Sequence, residues 1–200
     1  MKPLLIYIIY MNVFNTILPG ILIAISDFIY VSSDNKTVAA FLFPLALITI
    51  IKTDSYLFTG KIGKIRLNFE GIIKILCILF GNILGLSILL IVDKSLCTSM
   101  VQYKLSLPYI EVFLKSIICG CLMYIAVSFT NNKTDFLLTI LCVSGFIIGK
   151  CEHIIADIGY VFISKEFNID SLIFLFIVLI GNTIGAKFIN FFIERTRYDI

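Results

Sequence analysis

Charge is scarce in this chain: of 200 residues only 14% are Asp, Glu, Lys or Arg, while 60% are hydrophobic. Soluble globular domains run at about 25% charged, so the scarcity excludes an ordinary soluble domain. Sixteen Lys and Arg stand against thirteen Asp and Glu, giving a net charge of +3. They are spread thinly between apolar runs, with no basic block able to follow a phosphate backbone, so nucleic acid is not an expected partner. The six cysteines (Cys77, Cys97, Cys119, Cys121, Cys142, Cys151) lack CxxC spacing and read as small packing residues. The HExxH of an intramembrane zinc protease is missing as well, since the order at the single histidine is Glu152-His153. No A-x-A-like cleavage site precedes the polar turn near Ser32 to Lys36, so the N-terminal run is expected to be a retained first span.

Long apolar runs are what the chain has. A membrane-spanning helix needs about 20 apolar residues, and runs between polar breaks predict spans at residues 4–31, 38–60, 71–92, 110–129, 136–162 and 171–194. They are too long and too uniformly apolar for the ~10-residue alternating strands of a membrane barrel. The expected fold is therefore an all-α membrane protein with six transmembrane helices and no separate soluble domain. With the N-terminus inside, Lys2, Lys61, Lys64, Arg66, Lys133, Arg195 and Arg197 lie on the cytoplasmic side, against Lys36, Lys94, Lys104 and Lys165 outside. That bias favours both termini in the cytoplasm.

The chain repeats itself. Gly81-Asn82-Ile83-Leu84-Gly85 in span 3 recurs as Gly181-Asn182-Thr183-Ile184-Gly185 in span 6. Spans 2 and 5 each run into polar residues that lipid would forbid, Thr53-Asp54-Ser55 and Lys150-Cys151-Glu152-His153. Three spans per half make the halves, about 1–95 and 105–200, face opposite ways. Interrupted hydrophobic segments at corresponding positions of two inverted halves point to a midplane site built from broken helices, here 2 and 5. The glycines also suit close helix packing, with asparagine bonding across helices.

An ionisable side chain at the bilayer centre costs about 2.5–3.5 kcal/mol, so a cluster there is a functional candidate. Span 5 holds Lys150, Glu152 and Asp157 around His153. On helical spacing Lys150, His153 and Asp157 share one face, with Glu152 about 100° away from His153. A neutral imidazole at this depth can give or take a proton in the physiological range. Two other readings stay open. Lys150 and Asp157 can pair in a buried polar knot with His153 on a carbonyl. His153 and Asp157 can also hold a metal with Glu152 and Cys151, although one histidine without a second ligand motif argues against it. No metal and no cofactor is expected.

Several motifs then fall into a known order. Tyr56-Leu57-Phe58-Thr59-Gly60 resembles the ELFTG loop of the formate/nitrite transporter family, and Gly81-Asn82 with Gly85 resembles its first GNxxG. Lys104 with Tyr109-Ile110-Glu111 is similar to its Lys, aromatic, Ile, Glu segment. Cys151-Glu152-His153-Ile154-Ile155-Ala156-Asp157 resembles FEHSIAN, and Gly181-Asn182-Thr183-Ile184-Gly185-Ala186 resembles GNIIGG. The resemblance covers nearly the whole chain. It departs at Tyr56 for the loop's acid, Lys150 for a glycine and Asp157 for an asparagine, and it lacks the amphipathic helix that usually precedes span 1.

The resemblance implies an aquaporin-like protomer, with residues 1–200 as a single transmembrane channel domain in the cell membrane. It implies a homopentamer with one pore per subunit, and passage of small monovalent anions such as formate, nitrite, hydrosulfide or a short monocarboxylate. It gives His153 the central proton-relaying position, Lys104 an anion-attracting place in the outer vestibule, and Thr59 and Asn182 places beside the path. Phe43, Leu47 and Leu57 then form the inner constriction and Phe146 the outer one. Physics supports this division: a bare anion pays heavily to cross an apolar ring, and its neutral acid pays little. The expected function is a proton-linked anion channel or transporter in the lipid bilayer, not an enzyme. The alternatives are an aquaporin-like neutral-solute channel, whose paired Asn-Pro-Ala boxes are absent with prolines only at Pro3, Pro19, Pro44 and Pro108, or an intramembrane metalloenzyme using Glu152, His153 and Asp157.

Overall fold

The computed structural model describes residues 12–129 and 136–198. Residues 4–11 of the first expected span, and the loop lysine Lys133 counted for orientation, lie outside the described residues, as does Lys2. Among the described residues every regular element is helical. In chain order they are α1 (Phe14–Ser32), α2 (Lys36–Leu42), α3 (Pro44–Lys52), α4 (Phe58–Lys61), α5 (Phe69–Leu86), α6 (Thr98–Leu105), α7 (Tyr109–Ser128), α8 (Phe136–Ile148), α9 (Ile154–Ser164) and α10 (Ile169–Tyr198). Short 3-10 turns at Ser87–Ile91 and Lys94–Leu96 join α5 to α6. Among the described residues four segments are long and apolar enough to cross a membrane: Phe14–Ser32, Phe69–Ile91, Tyr109–Ser128 and Ile169–Thr196.

Local chemistry decides where the shorter helices stop. Pro44 opens α3, where its missing N–H costs no intrahelical bond. The α3 helix ends as Asp54 enters the left-handed region at φ 52°, with Ser55 N–H reaching back to the Ile50 carbonyl at 3.1 Å. The α8 helix ends in the same way, at Lys150 with φ 51° and Cys151 N–H on the Phe146 carbonyl at 2.9 Å. Both are Schellman terminations, which normally place glycine in the left-handed position. The helical-wheel grouping of Lys150, His153 and Asp157 is corrected here. Residues 149–153 are not helical, so spacing along a helix does not relate Lys150 to the other two.

Two helix pairs form the frame: α1 against α5, and α7 against α10. Glycine permits both close crossings. A Cβ on Gly20 would overlap the Asn82 carbonyl, and one on Gly120 would overlap the Asn182 carbonyl. Small residues allow this backbone approach where association draws on packing rather than on water exclusion. The buried centre includes Leu47, Ile78, Ile155, Ile163 and Val178. Outward faces remain apolar, with Leu76 and Phe80 on α5 and Leu172 and Phe176 on α10 exposed. Such a surface is a liability in water and a fitted coat in lipid.

Candidate functional site

Two asparagines position the site. Asn182 Oδ1 accepts from Ile154 N–H at 2.9 Å, and its amide donates to the Glu152 carbonyl at 2.9 Å and the Ser116 carbonyl at 2.8 Å. It thereby ties α10 and α7 to the extended residues just before α9. Asn82 works the same way on the other side, accepting from Phe58 N–H at 2.9 Å and donating to the carbonyls of Tyr56 at 3.0 Å and Thr16 at 2.7 Å. Both are fully buried. They hold non-helical backbone whose polar groups would otherwise meet hydrocarbon.

This frame sets His153 as the N-cap of α9. Its Nδ1 accepts from Ala156 N–H at 3.3 Å, and its Nε2 lies 2.9 Å from Thr59 Oγ1 on α4. With Nδ1 accepting, the proton of a neutral ring sits on Nε2 and is donated to the Thr59 hydroxyl. The imidazole stacks on Phe146 with ring centroids 5.6 Å apart, and Phe146 meets Phe43 edge-on at 6.5 Å. Imidazole and two phenyl rings therefore form one contiguous surface, with Thr59 behind it.

That surface borders a cavity of about 210 Å3, whose lining also includes Lys104, Lys115, Lys150, Glu152 and Asp157. Lys104 Nζ donates to Asp157 Oδ1 at 2.9 Å and to Glu152. Lys115 pairs with Glu111 at 2.6 Å along α7. The Lys150–Asp157 pair allowed by the sequence is not formed, because the left-handed turn at Lys150 separates it from α9 while α6 brings Lys104 to Asp157. His153 meets a threonine and a backbone amide, not the carbonyl of the polar-knot reading.

Of the residues singled out from the sequence, His153, Lys104, Phe43, Phe146, Lys150, Glu152 and Asp157 line one cavity. Thr59 joins them through the imidazole. Leu47, Leu57 and Asn182 are buried and lie outside that lining. Among the described residues no group of three or more His, Cys, Asp and Glu is arranged to hold a metal ion. Sequence reasoning missed Lys115, Tyr160 and Asp27. Both Lys115 and Asp27 are charges inside apolar runs, and that signal was available.

Membrane-length helices around a cavity rimmed by lysines and bordered by phenylalanine and histidine define a membrane transport protein. The chain belongs to the formate/nitrite transporter family, whose family model, described as "Formate/nitrite transporter", matches residues 9–194. Among solved structures it is similar to "Pentameric formate channel with formate bound", at 21% identity and a TM-score of 0.72, over 94% of this chain and 95% of that one. It is likewise similar to "FNT family ion channel", at 21% identity and a TM-score of 0.76, over 92% of this chain and 87% of that one. No curated protein matches the chain. The family it belongs to is one of transporters and not of enzymes.

Proposed function

We propose that the chain forms a transmembrane pathway for small monovalent weak-acid anions, namely formate, nitrite, hydrosulfide or a short monocarboxylate, and that passage is linked to a proton at His153. The carrying observation is an imidazole held between Thr59 and the Ala156 amide at the border of a lysine-lined cavity. Lys104, Lys115 and Lys150 raise the local anion concentration. Phe43 and Phe146 oppose a bare anion, and transient protonation near His153 produces a neutral acid that crosses apolar rings at little cost. Leu47 and Leu57 extend the apolar barrier. Thr59 sets the imidazole orientation, and Asn182 holds the backbone on which the histidine sits.

The same reading makes the chain one channel domain of two inverted three-span halves with interrupted second and fifth spans. The support is the matched bonding of Asn82 and Asn182, of Ser55 and Cys151, and of Asp54 and Lys150, each pair doing the same local job in its half. We further infer a homopentamer in the cell membrane, drawing on the neighbour described as a pentameric formate channel, with both termini cytoplasmic as the lysine and arginine bias favours. Proteoliposomes loaded with formate, nitrite, hydrosulfide or lactate at two pH values provide the test. Flux that rises as pH falls, with His153→Ala altering that dependence, is the expected result. An absence of flux for all four solutes overturns the reading, and water flux without anion flux revives the neutral-solute alternative.

A further inference from the structure

Lys187 has no place in the mechanism above, yet its side chain reaches from α10 into the turn that follows α4. Its Nζ donates to the Gly63 carbonyl at 3.1 Å and to the Ile65 carbonyl. The side chain is half-buried, and among the described residues no carboxylate forms an ion pair with it. Tyr124 closes the same turn from α7: a Cβ on Gly63 would overlap its ring, and its hydroxyl donates to Asn190 on α10. Asn190 in turn donates to Glu194 at 3.1 Å. An ammonium and an aromatic ring therefore grip one short piece of backbone.

The length of α4 explains why a donor is needed there. The matched turns at Asp54 and Lys150, and at Ser55 and Cys151, set α4 against α9, yet α9 stays helical from Ile154 to Ser164 while α4 stops at Lys61. The Gly63 and Ile65 carbonyls thus lie past the end of their helix, where no following helical N–H meets them. Hydrogen bonds run unbroken from this turn back to Thr59. Lys61 N–H meets the Leu57 carbonyl at 3.1 Å, Ile62 N–H meets Phe58 at 2.9 Å, and Lys64 and Ile65 both meet Lys61, at 3.1 and 3.3 Å. The turn and the helix bearing Thr59 are one hydrogen-bonded unit. In the other half the GNxxG register places Ser87 at the position of Lys187, and its hydroxyl bonds the Leu84 carbonyl of its own segment at 2.7 Å. Only the half that carries Thr59 has the long-range donor.

We propose that Lys187 is a positioning residue that holds Thr59 on the imidazole. The 2.9 Å contact between Thr59 Oγ1 and His153 Nε2 joins α4 to the start of α9, and α10 restrains both sides of it. Asn182 fixes the backbone on either side of His153, through the Glu152 carbonyl and the Ile154 amide. Lys187, five residues on and about 7.5 Å further along the helix axis, fixes the end of the unit that bears Thr59. Asn82 holds only the start of that unit, at Phe58 N–H. Apolar contacts such as Val127 against Gly60 also hold α4, but they are non-directional and do not aim a hydroxyl. Without the ammonium the two carbonyls turn toward other donors, and Thr59 moves with them. What the Thr59–His153 bond does in transport rests on the proton-linked reading above; that Lys187 sets the bond does not.

His153 is the only histidine in the chain, so NMR of the full chain in detergent, isotope-labelled at the histidine ring nitrogens and purified without a histidine tag, reads a single imidazole. Thr59→Val should displace the Nε2 resonance, because the hydrogen-bond partner is lost. Lys187→Met should displace it in the same direction. Lys187→Arg, which keeps donors on the two carbonyls, should hold it at the wild-type position, and Thr183→Ala elsewhere on α10 should leave it unmoved. A wild-type position in Lys187→Met overturns the proposal, as does an equal displacement in Thr183→Ala or none in Thr59→Val. Where Lys187→Met does not fold, Lys187→Gln decides in the same way: displacement is expected, and a wild-type position overturns the proposal. Anion flux in proteoliposomes, expected to fall several-fold in Lys187→Met and to be kept in Lys187→Arg, separates the two readings. A displaced resonance in a protein that passes no anion refutes only the transport reading, and an unmoved resonance with intact flux refutes only the role of Lys187.

Discussion

Replacing Asn182 by alanine asks what holds the histidine in place. Three hydrogen bonds are lost, to Ile154 N–H, the Glu152 carbonyl and the Ser116 carbonyl. The Ser116 carbonyl lies inside α7 and keeps its helical partner, so its loss is minor. Ile154 N–H is in the first turn of α9 and the Glu152 carbonyl is in the non-helical segment, so both are orphaned in a dry interior. Each orphaned group costs about 1–3 kcal/mol, which gives a destabilisation of about 4 kcal/mol. Side-chain bonds between membrane helices average only about 0.6 kcal/mol, so three ordinary ones would come to about 2 kcal/mol. The difference lies in the lack of alternative partners for non-helical backbone at this depth. Reversible unfolding in mixed micelles, followed by circular dichroism, measures it. Thr183→Ala on the same helix serves as control, because that hydroxyl bonds only the Leu179 carbonyl of its own helix, and it should cost about 0.5 kcal/mol or less. A loss of about 2 kcal/mol or less for Asn182→Ala would refute the reasoning.

Further outcomes follow from the same geometry. Lys104→Ala leaves the Glu152 and Asp157 carboxylates without their cation, so unfolding should become easier by about 3–5 kcal/mol, and Lys104→Arg should recover most of that in the same assay. Thr59→Val removes the hydroxyl 2.9 Å from His153 Nε2 with little change of shape; anion flux in proteoliposomes should fall several-fold and its pH profile should shift, with stability lowered by about 1–3 kcal/mol because the buried imidazole N–H loses its partner. Asp54→Gly relieves a left-handed residue at φ 52°, so it should raise stability by about 1 kcal/mol, read as a higher melting temperature in detergent.

The parts legible in the sequence are those that hydrophobicity and small motifs encode. Long apolar runs gave α5, α7 and α10, and the end of α1, to within a few residues, because lipid imposes a length on a crossing helix. The paired GNxxG segments marked Asn82 and Asn182, which anchor the extended backbone. The partner of Asp157 was not legible. Lys104 is 53 positions away on α6, and spacing along one helix favoured Lys150. An ion pair between distant elements is set by packing, which no local periodicity carries. Asp27 was overlooked for the opposite reason: a single acid in an apolar run adds little to a hydropathy average, while the cost of burying it is large.

Lys150 shows how the site overrides local preference. The resemblance to the family places glycine there, and glycine is what a left-handed residue at φ 51° favours. Lysine carries a penalty of roughly 1–2 kcal/mol in that conformation, yet the turn is kept. Cys151 N–H still reaches the Phe146 carbonyl at 2.9 Å, and two residues on the chain is already extended at His153. The backbone beyond the turn is fixed by Asn182 on the Glu152 carbonyl and the Ile154 amide, so the left-handed step at 150 is imposed from outside the turn. The substitution therefore leaves the histidine in place and adds an ammonium to the cavity wall. Asp157, at the position of the family's asparagine, adds a carboxylate to the same wall, and the cation it takes is Lys104. That leaves Lys150 unpaired with Asp157, on the wall of the same cavity that the imidazole lines.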